Sequence, residues 1–567
     1  LVMAYAPSTG AEKRAITVNL AKLSGPARAR WYNPTSGAFS DIAGSPFANT
    51  GERDFATLGD NGTGANDWVL VLEAAGAGKQ AANAPSGTAA RKTTGPLRVH
   101  ATNPRYFTDG TQNADGTLRA VYLTGSHVWN TLQDQGTTQP PPAFDFGGYL
   151  DFLNRHGHNF VRLWRFEISL WSAWDNTKPP LRYTTHHPWK RTGPGMALDG
   201  LPKFDFGQWD EEHFERLRSR VRAAGQRGIY VSIMLFEGWS QRTQPSAWSG
   251  HPMNAANNIN GINGDPNGDG RGLEVEMLKV DATTEIQKAY IRKVIDAVND
   301  LDNVLYEISN ESLFTPEILK WQVQMVNYIN EYQATKPRQH PVGMTNLVAY
   351  GEKAKIQSND ALMASPANWI SPGSTLYNVN DPLSSNPPIT TGAKVIILDN
   401  DHTWNNPCIP QNGKHRADHA WVWKSFLRGY NPICMDPLDL SQPDGVLEYA
   451  KASASALILA RPAMGHTRAY AERMNLAAMT PRDDLASTRY CLANPAREFL
   501  VYLPDGGEVT VDLSAAKGML EVEWFNPRTG GTTNGGTIEG GAKRSFKVPF
   551  EGDAVLYLIA SKGGDKR

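Results

Sequence analysis

Residues 303–312 read Asn-Val-Leu-Tyr-Glu-Ile-Ser-Asn-Glu-Ser. A short apolar run, Val304–Ile308, leads into Asn310 and the carboxylate of Glu311. A brief continuous apolar run bounded by polar residues is the pattern of a strand buried on both faces. The segments on either side, Glu285–Asn299 and Pro316–Tyr332, place apolar residues at i, i+3, i+4 and i+7, the spacing of a helix with one buried stripe. A helix, a fully buried strand and another helix in succession are the unit of a parallel sheet covered by helices.

The same unit recurs outward from this point. Apolar runs stand at Val121–Thr124, Phe160–Trp164, Ile229–Leu235, Val342–Thr345, Val395–Leu398 and Ile433–Met435, with Leu362–Ser365 as a weaker candidate. Glu211–Gln226 is a further amphipathic segment. Together these predict an α/β fold, a (β/α)8 barrel entered by a hairpin over Leu97–Tyr106 and Leu118–Tyr122. An open doubly wound sheet is the alternative, but no G-x-G-x-x-G follows the first strand.

The two ends of the chain repeat each other. LVMAYAP, AITVNLAKL, ARARWYNPTSG and DWVLVLEA near the start correspond to EFLVYLP, EVTVDLSAA, LEVEWFNPRTG and DAVLYLIA near the end. Short alternating runs punctuated by Gly, Pro, Asn and Asp predict a small β-sandwich at each end, with Trp31-Tyr32-Asn33-Pro34 matching Trp524-Phe525-Asn526-Pro527. The expected organisation is a sandwich over residues 1–73, a linker rich in Ala, Gly and Ser over 74–94, the barrel over 95–488 and a second sandwich over 489–567.

Composition narrows the function. Lys and Arg total 56 against 57 Asp and Glu in 567 residues, which argues against nucleic acid as a partner. No apolar run approaches the roughly 18 residues of a membrane span. Three cysteines, Cys408, Cys434 and Cys491, make neither a disulfide framework nor a zinc motif, and Cys434 is expected as a buried thiol. The chain opens at Leu1 inside an apolar run, so a signal peptide is expected to precede it and a secreted or periplasmic location to follow.

Barrel chemistry sits at the C-terminal ends of the strands. Those ends carry His127 and Trp129, Arg162 and Glu167, Glu237 and Trp239, Asn310 and Glu311, and Asp399, Asp401, His402 and Trp404. Carboxylates among Trp, His, Asn and Arg suit a sugar. One carboxyl protonates the glycosidic oxygen, a second acts as nucleophile or base, aromatic faces stack on the ring and the polar groups bind hydroxyls. Glu307, inside its strand, is expected to pair with a barrel arginine. Glu167 and Glu237 either bind sugar or pair with Arg165 or Arg242, and Asp436 before Pro437 reads as a turn residue.

The run NVLYEISNES resembles the strand-four acid/base motif of clan A glycoside hydrolases, the cellulase-like barrels. HNFVRLWRFE resembles their strand-two region, where an arginine, here Arg162, braces the nucleophile. YLTGSHVW, NNINGINGDPNGDG and ILDNDHTW extend the likeness to a bacterial group that carries small β-domains labelled collagen-binding. The resemblance implies a retaining β-glycosidase acting on a poly- or oligosaccharide, with Glu311 as acid/base and its acid form favoured by the nearby second carboxylate. That clan places a Glu nucleophile on strand seven. Here Asp399 stands at that place, with Asp401 two residues on as the other candidate. No organic cofactor is implied. A non-catalytic carbohydrate- or matrix-binding protein and a metal-dependent hydrolase are the competing readings; the latter lacks an H-x-H pair at a strand end.

One motif lies outside this scheme. Asp265, Asn267, Asp269, Gly270 and Glu276 satisfy the calcium-loop spacing D-x-[DN]-x-[DN]-G-x5-E. The preceding NAANNINGING is too rich in Asn and Gly for an entering helix, so the segment is not an EF-hand. It is either a bare calcium loop or a turn-rich loop.

Overall fold

The computed structural model describes residues 2–7, 13–23, 25–33, 39–61, 66–74, 93–172, 181–243, 247–373, 382–400, 418–440 and 454–561. They fall into two compact units, residues 1–86 with 529–532 and residues 87–528 with 533–567.

The larger unit is built on an eight-stranded parallel sheet. Its strands are β1 (Gly125–His127), β2 (Phe160–Leu163), β3 (Tyr230–Glu237), β4 (Val304–Asn310), β5 (Val342–Thr345), β6 (Trp369–Ser371), β7 (Val395–Asn400) and β8 (Asn431–Met435). They hydrogen-bond in the order β2-β3-β4-β5-β6-β7-β8-β1, each neighbouring pair parallel. The Asn159 N–H, just before β2, donates to the Thr124 carbonyl, just before β1, at 3.0 Å and joins the ends of the sheet. The longer helices are α1 (Phe146–Arg155), α2 (Glu211–Gln226), α3 (Asp281–Val298), α4 (Pro316–Gln333), α5 (Glu352–Ala364), α6 (His419–Leu427) and α7 (Ala454–Arg473). Local chemistry sets their starts. Thr315 caps α4 by accepting from the Ile318 N–H, with Pro316 at the first helical position, and Asp418 caps α6 by accepting from Trp421.

Two expected strands are corrected. Val121–Thr124 is not a stave of the barrel. Val121 exchanges backbone hydrogen bonds with Phe107 at 2.7 and 3.3 Å, and Val121 and Leu123 join Leu97 and Phe107 in an apolar cluster with the barrel residues Phe160, Leu305, Val395 and Ile433. The sixth strand is Trp369–Ser371, whereas Leu362–Ser365 covers the end of α5 and its cap. Both errors share a cause: an apolar run of four residues carries no period, so a strand, a helix end and a plug look alike. Trp369 itself fills barrel space that Gly343, its registered partner on β5, leaves open; a Cβ at Gly343 would stand 1.9 Å from the indole.

Alternation along the strands sorts the residues into two faces. On β4, Val304, Tyr306 and Ile308 pack into the core beneath the helices, while Leu305 belongs to the apolar cluster of the plug and Glu307, two residues on, is buried among polar groups. On β7, Ile396 and Leu398 pack with the helices, Val395 and Ile397 join the apolar cluster, and Asp399 continues that inner row. The barrel interior therefore changes from apolar to charged toward the C-terminal ends of its strands.

The two terminal modules share one topology. In the first, strands Val2–Ala6, Trp68–Ala74, Ala27–Tyr32 and Phe39–Asp41 form a sheet in that order, beside the antiparallel pair Ala15–Asn19 and Glu52–Ala56. In the second, Glu498–Leu503, Ala554–Ala560, Met519–Phe525 and Thr532–Glu539 adjoin in the matching order, beside the pair Glu508–Asp512 and Lys543–Lys547. Trp31 and Trp524 hold corresponding buried places, each opposite a leucine, Leu70 and Leu556.

The second module shares a core with the barrel. Phe499, Val501, Leu556 and Trp524 face inward within the module. The alternate positions Leu500, Tyr502, Val555, Tyr557 and Phe525 belong to the barrel's own cluster. There Trp423 of α6 stacks on Tyr502 at 6.2 Å between ring centroids, and Tyr470 of α7 meets Phe525 and Tyr557, each at 5.6 Å. His419 and Tyr502 both reach the carboxylate of Asp553 at 3.0 Å. Trp423 is fully buried. Its replacement by alanine is expected to cost roughly 3–5 kcal/mol of stability, and to lower the denaturant midpoint of barrel and module together rather than releasing the module as a separate transition. Unfolding followed by circular dichroism measures both.

Candidate active site

The C-terminal end of the barrel is organised by Arg162. This residue lies on β2 and is 3% exposed. Its Nε donates to Glu307 Oε2 at 3.1 Å, and Nη2 to the other oxygen of the same carboxylate. Nη2 also donates to Asn310 Oδ1 at 2.8 Å, and Nη1 to Asp399 Oδ2 at 2.7 Å. One guanidinium thus ties β2 to β4 and β7, using the planar fork of donors that suits carboxylates. Glu307 also accepts from Ser232 at 3.1 Å and from Thr345 at 3.3 Å, so this fully buried carboxylate is the structural partner of Arg162, as its place inside β4 predicted.

Asp399 receives a second donor. His127 Nε2 lies 2.9 and 3.0 Å from its two oxygens, while His127 Nδ1 accepts from the indole N–H of Trp164 at 2.9 Å. An indole nitrogen can only donate, so Nδ1 is unprotonated and the imidazole proton is on Nε2, directed at Asp399. Burial works to raise the Asp399 pKa, yet the facing His127 and Arg162 outweigh it and hold the carboxyl below its ordinary value. The Asp399 side chain is 19% exposed against 0% for Glu307. Of the two carboxylates bound to Arg162, Asp399 is the one solvent reaches.

Glu311 follows directly on β4. Its φ of +53° is a left-handed conformation, uncommon for a residue with a side chain. Arg242 supports it, donating from Nε to the Glu311 carbonyl at 2.7 Å and from Nη2 to its carboxylate. Gly238 permits the close approach from β3, since a Cβ there would lie 2.6 Å from the Ser312 backbone. The Glu311 side chain is 24% exposed. The sequence reading expected the second carboxylate to act on Glu311; the structure adds a cation directly against it.

The remaining expected residues divide. Glu237 and Glu167 are buried behind this surface. Glu167 pairs with Arg165 at 3.4 Å and accepts from the Glu237 N–H, and Glu237 accepts from the Ser240 hydroxyl at 2.5 Å. Arg242, offered as a partner for either, is bound to Glu311 instead. Trp129 and Trp239 are half-buried, 5.6 Å apart, in an aromatic group with Trp164, Phe166 and Trp171. Asp401, His402 and Trp404 lie outside the described residues. Asp436 is no mere turn residue: both its oxygens accept from Arg461, at 2.6 and 2.8 Å.

Glu276 is corrected. It does not join Asp265 and Asp269 but lies buried, accepting from Ser309 and Ser312, each at 2.9 Å, the two serines flanking Asn310 and Glu311. Sequence reading missed this brace, and missed Arg242 as the partner of Glu311. Both contacts join distant segments, and no local period marks them.

Comparison with known proteins agrees with this fold. Residues 173–358 match a family described as a domain of unknown function, and residues 1–73 and 480–559 both match a family described as "Putative collagen-binding domain of a collagenase". No curated protein matches the chain. A solved structure described as a glycoside hydrolase superposes with a TM-score of 0.51 at 13% identity, covering 82% of this chain and 97% of the other. A family 5 glycoside hydrolase from Bacteroides vulgatus gives 0.51 at 13% identity, covering 83% and 95%. A "putative glycoside hydrolase" from the same organism gives 0.50 at 14%, covering 97% and 98%. The barrel therefore has the fold of solved glycoside hydrolases, and the terminal modules are two copies of one small β-domain.

Two buried carboxyls give the site a pH signature. Burial raises Glu237 to about 8 and Glu276 to about 7, from an ordinary 4.5. The folded protein then holds more protons than the unfolded chain between these values. The stability these groups contribute is complete below about pH 4.5 and is lost as the pH rises through 7 and 8. Glu237→Gln, which cannot ionise, is expected to flatten this decline. Urea midpoints across that range test it, and parallel profiles for wild type and variant would contradict it.

Proposed function

We propose that the protein is a retaining glycoside hydrolase cleaving β-linked sugars of a poly- or oligosaccharide, with Asp399 as nucleophile and Glu311 as acid/base. The observation that carries this reading is the pair of partly exposed carboxylates at the ends of β4 and β7, positioned by Arg162 and Arg242 within an otherwise buried polar layer. Asp399 is kept ionised, as a nucleophile must be, and the His127 N–H and Arg162 fix its orientation.

In the first step an Asp399 oxygen bonds to the anomeric carbon as the glycosidic C–O bond breaks, and Glu311 delivers its proton to the departing oxygen. In the second, water attacks the same carbon, its proton passes to Glu311 and the Asp399 ester is released. Arg242 donates to the Glu311 carboxylate. The acid role therefore includes separation of that ion pair as the sugar enters. Trp129 and Trp239, half-buried beside Trp164, offer aromatic surface for a pyranose face. The terminal modules act as accessories, and export from a bacterial cell suits a polysaccharide substrate.

Glu311→Gln is expected to lower turnover by about 10²–10⁴-fold on substrates with poor leaving groups, and by less on activated aryl glycosides. An unchanged rate on natural glycan would remove Glu311 from the acid role. Asp399→Ala is expected to be inactive and partly rescued by azide on an aryl glycoside, with the product of opposite anomeric configuration identified by NMR. Rescue in Asp401→Ala alone would move the nucleophile to that residue.

A further inference from the structure

The loop that the sequence marked as a calcium pattern has no part in the proposed chemistry, yet its geometry is that of a ligand cage. Ligand oxygens of Asp265, Asp269 and Glu274 all lie within 4.8 Å of one another. That is the widest spacing two oxygens can have around an ion held at about 2.4 Å from each. The third carboxylate is Glu274, two residues before the Glu276 that regular motif spacing would select.

The loop's own donors account for only part of these carboxylates. The Gly270 N–H binds Asp265 Oδ2 at 2.9 Å, and Asp265 Oδ1 has no partner although the residue is 7% exposed. Asn267 Nδ2 binds Glu274 Oε1 at 2.7 Å, and Glu274 Oε2 has no partner although that residue is 5% exposed. Asp269, at the exposed rim, accepts from the Arg271 N–H at 2.9 Å and from Asn267 at 3.3 Å. Among the described residues, none of the three carboxylates has an ion-pair partner. Asp265 and Glu274 each keep a buried carboxylate oxygen without a donor, and with Asp269 they bring ligand oxygens together with no counter-charge; a hard divalent cation neutralises such an environment and a neutral amide does not. The exposed side at Asp269 admits the waters that complete a calcium shell.

We propose that Asp265, Asp269 and Glu274 bind a calcium ion. Glu274 lies on the short 3-10 turn Leu273–Glu276. Glu274 would hold the ion while Glu276, two residues on, holds Ser309 and Ser312 on either side of Glu311. Trp248 packs with Met253 and Val275 on the same turn, which places an indole beside the site.

Trp248 supplies the readout. Terbium, a calcium substitute, is titrated into the full-length, metal-stripped protein and its luminescence is excited through tryptophan, with calcium competition and calorimetry giving the calcium affinity. A saturable site with Kd at or below about 1 mM is expected, the range of weak extracellular calcium modules. Asp265→Asn and Glu274→Gln should weaken binding at least tenfold, and Glu276→Gln should leave it unchanged. If the buried variants fail to fold, Asp269→Asn at the exposed rim carries the test, also with at least a tenfold loss. Absence of saturable binding, wild-type affinity in Glu274→Gln or Asp269→Asn, or loss in Glu276→Gln alone would overturn the site. Tighter binding of magnesium than of calcium would overturn the choice of ion. None of these measurements depends on glycosidase activity.

Discussion

A charged pair inside a barrel is the constraint from which the rest of this molecule follows. Arg162 and Glu307 are removed from water, and such a pair holds only when nearly every donor and lone pair is matched. Ser232, Thr345, Asn310 and Asp399 provide the matches, from β3, β5, β4 and β7. The barrel interior is consequently apolar at one end and a closed hydrogen-bond network at the other. Asp399 stands where that network reaches solvent. Its position and its ionisation are thus by-products of burying an arginine, and the nucleophile proposed here is as fixed as the fold.

Glu311 is held on a different principle. Asp399 is embedded in a regular strand, whereas Glu311 comes one residue after its strand has ended, in a strained backbone conformation held by Arg242. Behind it lies a reservoir of buried acid, Glu167, Glu237 and Glu276, only part of which is matched by arginine. Strain and incomplete charge balance are tolerated where a group has to change its partner during work, and an acid/base that takes and returns a proton is such a group. The contrast between a locked carboxylate and a sprung one fits the two roles proposed for them.

Much of this was legible in the sequence because it follows from period. Strand and helix repeats gave the barrel, the place of Glu307 inside a buried run marked it for an arginine partner, the family resemblance pointed to Asp399, and the position after a buried run singled out Glu311. The terminal repeat was visible as matched turns around Trp31 and Trp524. Contacts that join distant segments were not legible: Arg242 to Glu311, Trp164 to His127, Arg461 to Asp436. Glu276 shows the sharper limit. A motif counts residues at even intervals, but the chain enters a 3-10 turn at Leu273, so the carboxylate that faces Asp265 and Asp269 is Glu274. Val121–Thr124 and Leu362–Ser365 were misassigned for want of length, since four residues cannot display a period.

The repeated module carries one face that, in its second copy, packs into the core of the barrel. Both copies have a tyrosine that donates to an aspartate at the foot of the adjoining strand: Tyr5 to Asp67 at 3.4 Å in the first, and Tyr502 to Asp553 at 3.0 Å in the second. Tyr5 is 58% exposed, while Tyr502 is fully buried beneath α6. The same face is interior in the second copy. Each later change on that face of the second copy is screened by the packing of an enzyme-like barrel, whereas at Tyr5 the same side chain answers to water. The two halves of the repeat therefore accumulate substitutions under different rules, and their likeness should persist longest at Trp31 and Trp524, in the inward rows, where both copies still solve the same packing problem.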